Sequence, residues 1–200
     1  MCARGTGRPW HIFSNTSDPI YKVSAKPTST IFLIGMPGCG KSHLGERAAQ
    51  KMKIAFIDFD RYLEEKEGNT IAQIFEKAGE DGFRSLERKY LKELTKKKAR
   101  RFIALGGGTP CFFDNMQLIN KNGLSVYLRA PLADLYKRLL PEAHKRPLLK
   151  DKSGKQLMTY LKELLKNREP FYKQADIILD IINPDANAFT ELLKQRRQYL

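Results

Sequence analysis

The chain is expected to fold as a three-layer α/β protein, with a five-stranded parallel sheet covered by helices on both faces. Three observations carry that expectation. From residue 31 onward, short apolar runs alternate with amphipathic helical stretches, the pattern of strands that return through helices to pair in parallel. The first apolar run passes through a glycine-rich turn straight into a helical stretch. The length of 200 residues, 42% of them hydrophobic, suits one domain with a sizeable core.

Taken in order, Ile31 to Ile34 reads as a first strand, and Leu44, Ala48 and Met52 mark one face of the helix that follows. Ile54 to Asp58 reads as a second strand. Ile71, Ile74, Phe75 and Ala78 mark a short helix, and Phe83 to Leu94 a longer one ending near Arg100. Phe102 to Leu105 is a third strand, closed by Gly106-Gly107-Gly108. Leu124 to Leu128 is a fourth. Leu132, Leu135, Tyr136 and Leu139 mark a helix with Pro131 at its start, where a missing N–H costs nothing. Residues 140–154 are polar and lack an apolar pattern. Leu157, Leu161 and Leu164 begin a helix that Pro170 ends or kinks. Ile177 to Leu179 is a fifth strand, and Phe189, Leu192 and Leu193 sit on a closing helix.

Composition excludes several classes. No apolar run approaches the roughly 18 residues of a membrane span. The three cysteines, Cys2, Cys39 and Cys111, form no CxxC pair, so neither a disulfide framework nor a zinc site is indicated, and a reducing cytoplasm fits best. Net charge is +14, which suits an anionic substrate as well as nucleic acid. Much of it lies at Lys89, Lys92, Lys96, Lys97, Lys98, Arg100 and Arg101, interleaved with Leu86, Tyr90, Leu91 and Leu94 at helical spacing. That reads as the solvated face of an amphipathic helix. Residues 1–29 lack periodicity and a signal-type hydrophobic core, and are expected to be a disordered extension.

The chemistry concentrates at strand ends. Gly35 to Ser42 spells G-x-x-x-x-G-K-S between a strand and a helix, the context in which this pattern cradles phosphate. Backbone N–H groups around Gly38, Cys39, Gly40 and His43, with the helix N-terminus, face the anion. Lys41 would reach the β- and γ-phosphates, and the Ser42 hydroxyl would hold Mg²⁺. Cys39 reads as a small tolerated side chain. At the second strand end, alternation puts Asp58 and Asp60 on one side of an extended chain, where they can serve Mg²⁺ and an acceptor hydroxyl. Alternatively, Asp60 simply caps a helix starting at Arg61. Gly106, Gly107 and Gly108 let backbone approach a ligand closely, or form a plain turn. Arg84, three residues before Glu87, reads as a carboxylate-binding fork or as a surface ion pair. Arg146 and Arg168 each precede a proline-bearing segment.

Together these pieces resemble the shikimate kinase family: GMPGCGKS at 35–42, D-x-D at 58–60, FRxxE at 83–87, GGG at 106–108, RPLL at 146–149 and RxPxY at 168–172. The resemblance spans about residues 31–182. It implies a P-loop kinase fold with a substrate-binding subdomain at about 59–87, a mobile lid at about 140–154, and a kinase domain over 30–200. It implies that Asp60, Arg84, Gly106, Gly107, Gly108 and Arg168 hold shikimate, with the two arginines on its carboxylate and Asp60 on the phosphorylated hydroxyl. Ser42 and Asp58, the latter through water if not directly, would serve Mg²⁺. Lys41 and Arg146 would stabilise the moving phosphoryl group. Arg138 is the candidate adenine contact, although it lies eight residues before Arg146 where the family spacing is seven. A loop near Asn183-Pro184 would border adenine. The implied partners are ATP and shikimate, without nucleic acid or membrane, for a cytoplasmic monomer. A gluconate kinase need not keep all three arginines, a silent homologue should have lost one of these residues, and a nucleic-acid NTPase should carry a recognition motif.

Overall fold

In a computed structural model, the described residues are 30–145, 152, 154–181 and 185–195. The expectations for residues 1–29, Arg146, the 146–149 motif and Asn183-Pro184 lie outside them. Five parallel strands form one sheet in the order β2-β3-β1-β4-β5: β1 (Thr30–Ile34), β2 (Ala55–Asp58), β3 (Arg101–Ala104), β4 (Leu124–Arg129) and β5 (Ile177–Asp180). The strand count and parallel sense agree with the alternating pattern. The central strand β1 pairs with β3 on one side and β4 on the other. It is buried along its whole length, which is why it reads as an unbroken apolar run rather than an alternating one.

Seven helices among the described residues complete the layers: α1 (Lys41–Met52), α2 (Phe59–Glu67), α3 (Ile71–Lys96), α4 (Asn115–Asn122), α5 (Leu132–Leu139), α6 (Gly154–Tyr172) and α7 (Ala186–Gln195). Helix α1 packs on β2, β3 and α7, and α5 packs on α6. The two expected helices between residues 71 and 94 are the halves of α3. They join at Gly79, whose φ of 66° and ψ of −173° break the helical path, a conformation that glycine adopts without a Cβ penalty. Thr70 caps the first half. Its hydroxyl accepts from the Gln73 N–H while the Gln73 side chain accepts from the Thr70 N–H, a reciprocal capping pair.

Four details differ from the sequence reading. Helix α2 begins at Phe59, and its cap is Asp58 rather than Asp60: the Asp58 carboxylate accepts from the N–H groups of Asp60 and Arg61 at 3.2 and 3.3 Å. Asp60 is therefore helical, so strand alternation does not set its direction. Helix α4 was not anticipated, because only Met116 and Ile119 supply buried apolar side chains and its other residues include asparagines, which form helices weakly. Helix α3 ends at Lys96, short of Arg100. Arg101 belongs to β3 and is buried; its Nη2 donates to the carbonyls of Leu94 and Lys97, closing the α3 C-terminus instead of facing solvent. Pro170 does not end α6, which runs two residues further to Tyr172.

Thr70→Ala should lower the urea unfolding free energy by about 1 kcal/mol, the usual worth of such a cap. An unchanged midpoint would show that tertiary packing alone holds the first half of α3.

Candidate active site

The loop from Gly35 to Gly40 leads out of β1 and wraps back to α1. Gly40 takes a left-handed φ of 94° at the α1 N-terminus. Lys41 is buried, and its ammonium donates to the carbonyls of Gly35 at 2.9 Å and Met36 at 3.0 Å. Cys39 is fully buried within the loop. The Ser42 hydroxyl donates to the Asp58 carboxylate at 2.5 Å, bringing the ends of β1 and β2 together across the intervening strand β3. A cavity of about 540 Å³ opens here, lined by Pro37, Gly38, Gly40, Lys41, Ser42, His43, Asp58, Asp60, Ala104, Leu105, Gly106, Gly107, Arg138, Leu139 and Glu142. Its lining contains the predicted phosphate-binding residues except Cys39, together with both aspartates and two of the three glycines.

The glycine turn after β3 meets the other half of the site. A Cβ on Gly106 would lie 2.8 Å from Asp60 Oδ1, one on Gly107 3.2 Å from Arg168 Nη1, and one on Gly108 2.5 Å from Arg84 Nη1. The three glycines thus leave room where Asp60, Pro37 with Arg168, and Arg84 crowd the turn, the tightest contact at Gly107 being Pro37 Cδ at 2.8 Å. The turn does more than bring backbone near a ligand: it seats three side chains around one point.

Arg84 is buried, its side chain only 4% exposed, so the reading of a surface ion pair does not hold. Its Nη1 donates to Glu87 Oε2 at 2.8 Å, and Nη2 and Nε donate to Glu80 Oε1 at 2.7 and 3.2 Å. The Phe112 ring lies 4.2 Å from the guanidinium carbon, a stacking arrangement suited to a planar cation. Glu87 is fully buried and also accepts from the Thr109 hydroxyl. Burial pushes the Glu87 carboxyl above its ordinary range, against the opposing pull of Arg84 and Thr109. Arg168 is buried near the end of α6. One turn on, the Tyr172 hydroxyl donates to the Gly107 carbonyl at 2.5 Å. Burial holds that phenol well above its usual value, so it remains a donor. Half-buried Cys111 is likewise pushed up to about 11 by burial, which keeps it a thiol.

Arg138 lies in the last turn of α5, with Nη1 3.4 Å from the Gly38 carbonyl. The cavity thus gathers Gly38, Gly40 through His43, Asp58, Asp60, Gly106, Gly107 and Arg138; Gly108, Arg84 and Arg168 adjoin it through the glycine turn without lining it, the Cys39 N–H is turned inward onto the Met36 carbonyl, and Arg146 is outside the described residues. Sequence reasoning gave no role to Glu80, Phe112, Thr109 or Tyr172. Glu80 was readable in principle, since the position four before Arg84 shares its helix face as Glu87 does. Phe112 and Thr109 reach the site only through the turn after β3.

Hard oxygen donors fit magnesium: Ser42 and Asp58 supply two, the complement this ion takes from protein when phosphates and water fill its remaining positions. No helix among the described residues is long and apolar enough to cross a membrane.

The shikimate kinase family model matches residues 37–196. A shikimate kinase of Phocaeicola vulgatus is 46% identical over 145 residues, covering 72% of this chain and 82% of that protein. Among solved structures, the Bacteroides thetaiotaomicron shikimate kinase superposes with a TM-score of 0.77 at 36% identity, over 84% of this chain and 98% of that one. The Acinetobacter baumannii shikimate kinase in complex with shikimate gives 0.72 at 34% identity, over 86% and 92%.

Because the Glu87 carboxyl is raised, the folded chain holds that proton more tightly than the unfolded chain does. Stability drawn from it is present at low pH and is lost as pH climbs from the ordinary carboxylate value through the raised one. Melting temperatures across that range should show the native chain losing ground to Glu87→Gln as pH rises. A difference independent of pH would mean the carboxyl is not raised.

Proposed function

Because the chain belongs to the shikimate kinase family, we propose that its phosphate loop, Asp60 and two buried arginines carry out phosphoryl transfer from ATP to the 3-hydroxyl of shikimate. The chain is an ATP-dependent kinase whose products are shikimate 3-phosphate and ADP, in chorismate and aromatic amino-acid biosynthesis. The observation that carries the division of roles is the glycine turn, which seats Asp60, Arg84 and Arg168 about one point beside the phosphate loop.

The substrate carboxylate binds to Arg84 and Arg168, whose planar forks can bond both oxygens. Gly106, Gly107 and Gly108 form the floor beneath the ring. Asp60, touching Gly106 on the cavity side, orients the attacking hydroxyl and accepts its proton. Gly38 through Gly40, Ser42 and His43 bind the polyphosphate through the loop and the α1 N-terminus. Lys41 turns from the Gly35 and Met36 carbonyls toward the transferred group. Arg138 covers the nucleotide where α5 meets the loop, on the path to adenine.

Magnesium, held by Ser42 and Asp58 directly or through water, would neutralise phosphate charge. The residues themselves supply placement. Such transfers depend on alignment and charge stabilisation rather than covalent help, and alignment can be worth about 7–11 kcal/mol. Residues 59–87 act as the substrate-binding subdomain. Residues 140–154, with Arg146, act as a lid that keeps water from accepting the phosphoryl group. We place the enzyme in the cytoplasm as a monomer without a nucleic-acid partner, its basic excess suited to two anionic substrates.

Arg168→Ala should raise the shikimate KM by about 10- to 100-fold, the worth of one or two charge-assisted hydrogen bonds, while the ATP KM holds. An unchanged shikimate KM would remove Arg168 from the clamp. Lys41→Ala should cut kcat by about 100- to 1000-fold, as expected for a group that stabilises transition-state charge. A kcat within threefold of the native value would refute that role.

A further inference from the structure

Arg84 already holds two carboxylates before any substrate carboxylate reaches it. Glu87 bonds Nη1, and a single oxygen of Glu80 takes both Nη2 and Nε. The two partners are not alike. The Glu87 side chain is 1% exposed and is tied to the Thr109 hydroxyl on its other oxygen. The Glu80 side chain is 46% exposed, so water can solvate it as soon as it lets go.

Glu80 also reaches toward the second arginine. It lines a cavity of about 300 Å³ together with Arg168, Phe112 and Asn167. A carboxylate bonded to Arg84 and facing the cavity of Arg168 sits where a substrate carboxylate held by both arginines would have to arrive. Glu80 and Glu87 already match the charges of Arg84 and Arg168, and a third carboxylate brought alongside them would be repelled. Relief must come from the partner that is cheap to release, and burial rules out Glu87.

The half-exposed Glu80 side chain can make this movement without the backbone. Its neighbour Gly79 carries the break in α3, and a Cβ built there meets no atom within 4 Å. The Phe75 and Phe83 rings pack across this break at 4.6 Å, so the release is carried by the exposed Glu80 side chain rather than by a turn of the helix.

From these observations, and resting on the reading of Arg84 and Arg168 as the carboxylate clamp, we infer that Glu80 is a resident counter-ion that the substrate carboxylate displaces. It keeps the buried guanidinium compensated between turnovers. It also makes entry selective, because a neutral sugar or polyol cannot take over the ion pair. The product keeps the same carboxylate, so the returning Glu80 favours its departure.

Calorimetric binding and steady-state kinetics with shikimate on the full chain test this. Glu80→Gln removes the competitor, and the shikimate dissociation constant and KM should fall by about two- to fivefold, the worth of a half-exposed ion pair, with no gain in kcat and the ATP KM in place. Glu80→Asp keeps the charge but shortens the arm, and should also lower the shikimate KM. A KM that rises or stays put in both variants overturns displacement and leaves Glu80 as a fixed support for Arg84. Arg84→Ala separates the two levels. If it leaves the shikimate KM unchanged, the clamp itself is wrong. If it raises KM while Glu80→Gln does not lower it, only the displacement fails.

Discussion

Burying the Arg84 guanidinium sets most of the site's layout. A cation taken out of water costs several kcal/mol unless charge and hydrogen bonds replace its hydration. Glu87 supplies the charge, one helical turn away on the same buried face. Glu87 then needs a donor for its second oxygen, and Thr109 provides it from the turn after β3. Asn115 in turn donates to the Thr109 carbonyl, which ties the start of α4 into the same network. At the three glycines before Thr109, Asp60, Pro37 and Arg84 respectively stand closest to where a Cβ would lie. One buried charge thus links α3, the β3 turn and α4, and fixes where the turn can lie.

What the sequence showed and what it hid separate along this line. The phosphate loop was legible because its chemistry is local: eight consecutive residues hold the glycines, the lysine and the hydroxyl. The strands were legible because a parallel sheet covered on both faces makes them short unbroken apolar runs. The α3 break was legible as a change of phase between Ala78 and Phe83. The identity of the α2 cap was not, since Asp58 and Asp60 are equally good capping residues and only the backbone path decides between them. Arg101 was misread because a run of basic residues looks uniform in sequence, while the fold turns one of them inward onto the α3 carbonyls. The site arginines were visible as motif members. Thr109, which bonds Glu87, and Phe112, which stacks on Arg84, were not, because no spacing along the chain signals contact across 22 residues or more.

The break at Gly79 gives α3 two mechanical roles. The second half carries Arg84 and Glu87 and is anchored by Phe83, Tyr90, Leu91 and Leu94 in the core. The first half is held more lightly: Ile74 alone is fully buried there, with Ile71 and Phe75 packed at the edge. Its N-terminus is finished locally by the Thr70–Gln73 pair and by Glu64, which accepts from the Ile71 N–H at 2.9 Å. Glu64 belongs to α2, so its bond ties the start of α3 to the preceding helix. The arginine thus sits on the better-buried half of α3, and the Phe75–Phe83 ring contact joins the two halves across the break.

Lys41 and Arg84 are both buried cations, yet they are stored differently. Lys41 rests on two neutral backbone carbonyls of its own loop. Hydrogen bonds to neutral acceptors are about half as strong as those to ionised ones, so an arriving polyphosphate outcompetes them without help. Among the described residues, no carboxylate forms an ion pair with this lysine that the nucleotide would have to displace. Arg84 is stored against full negative charges, which hold its planar fork in a fixed orientation. A flexible ammonium that must follow a moving phosphoryl group needs weak storage. A guanidinium that must present one geometry to a carboxylate needs strong storage, with one of its partners placed where water can take it back.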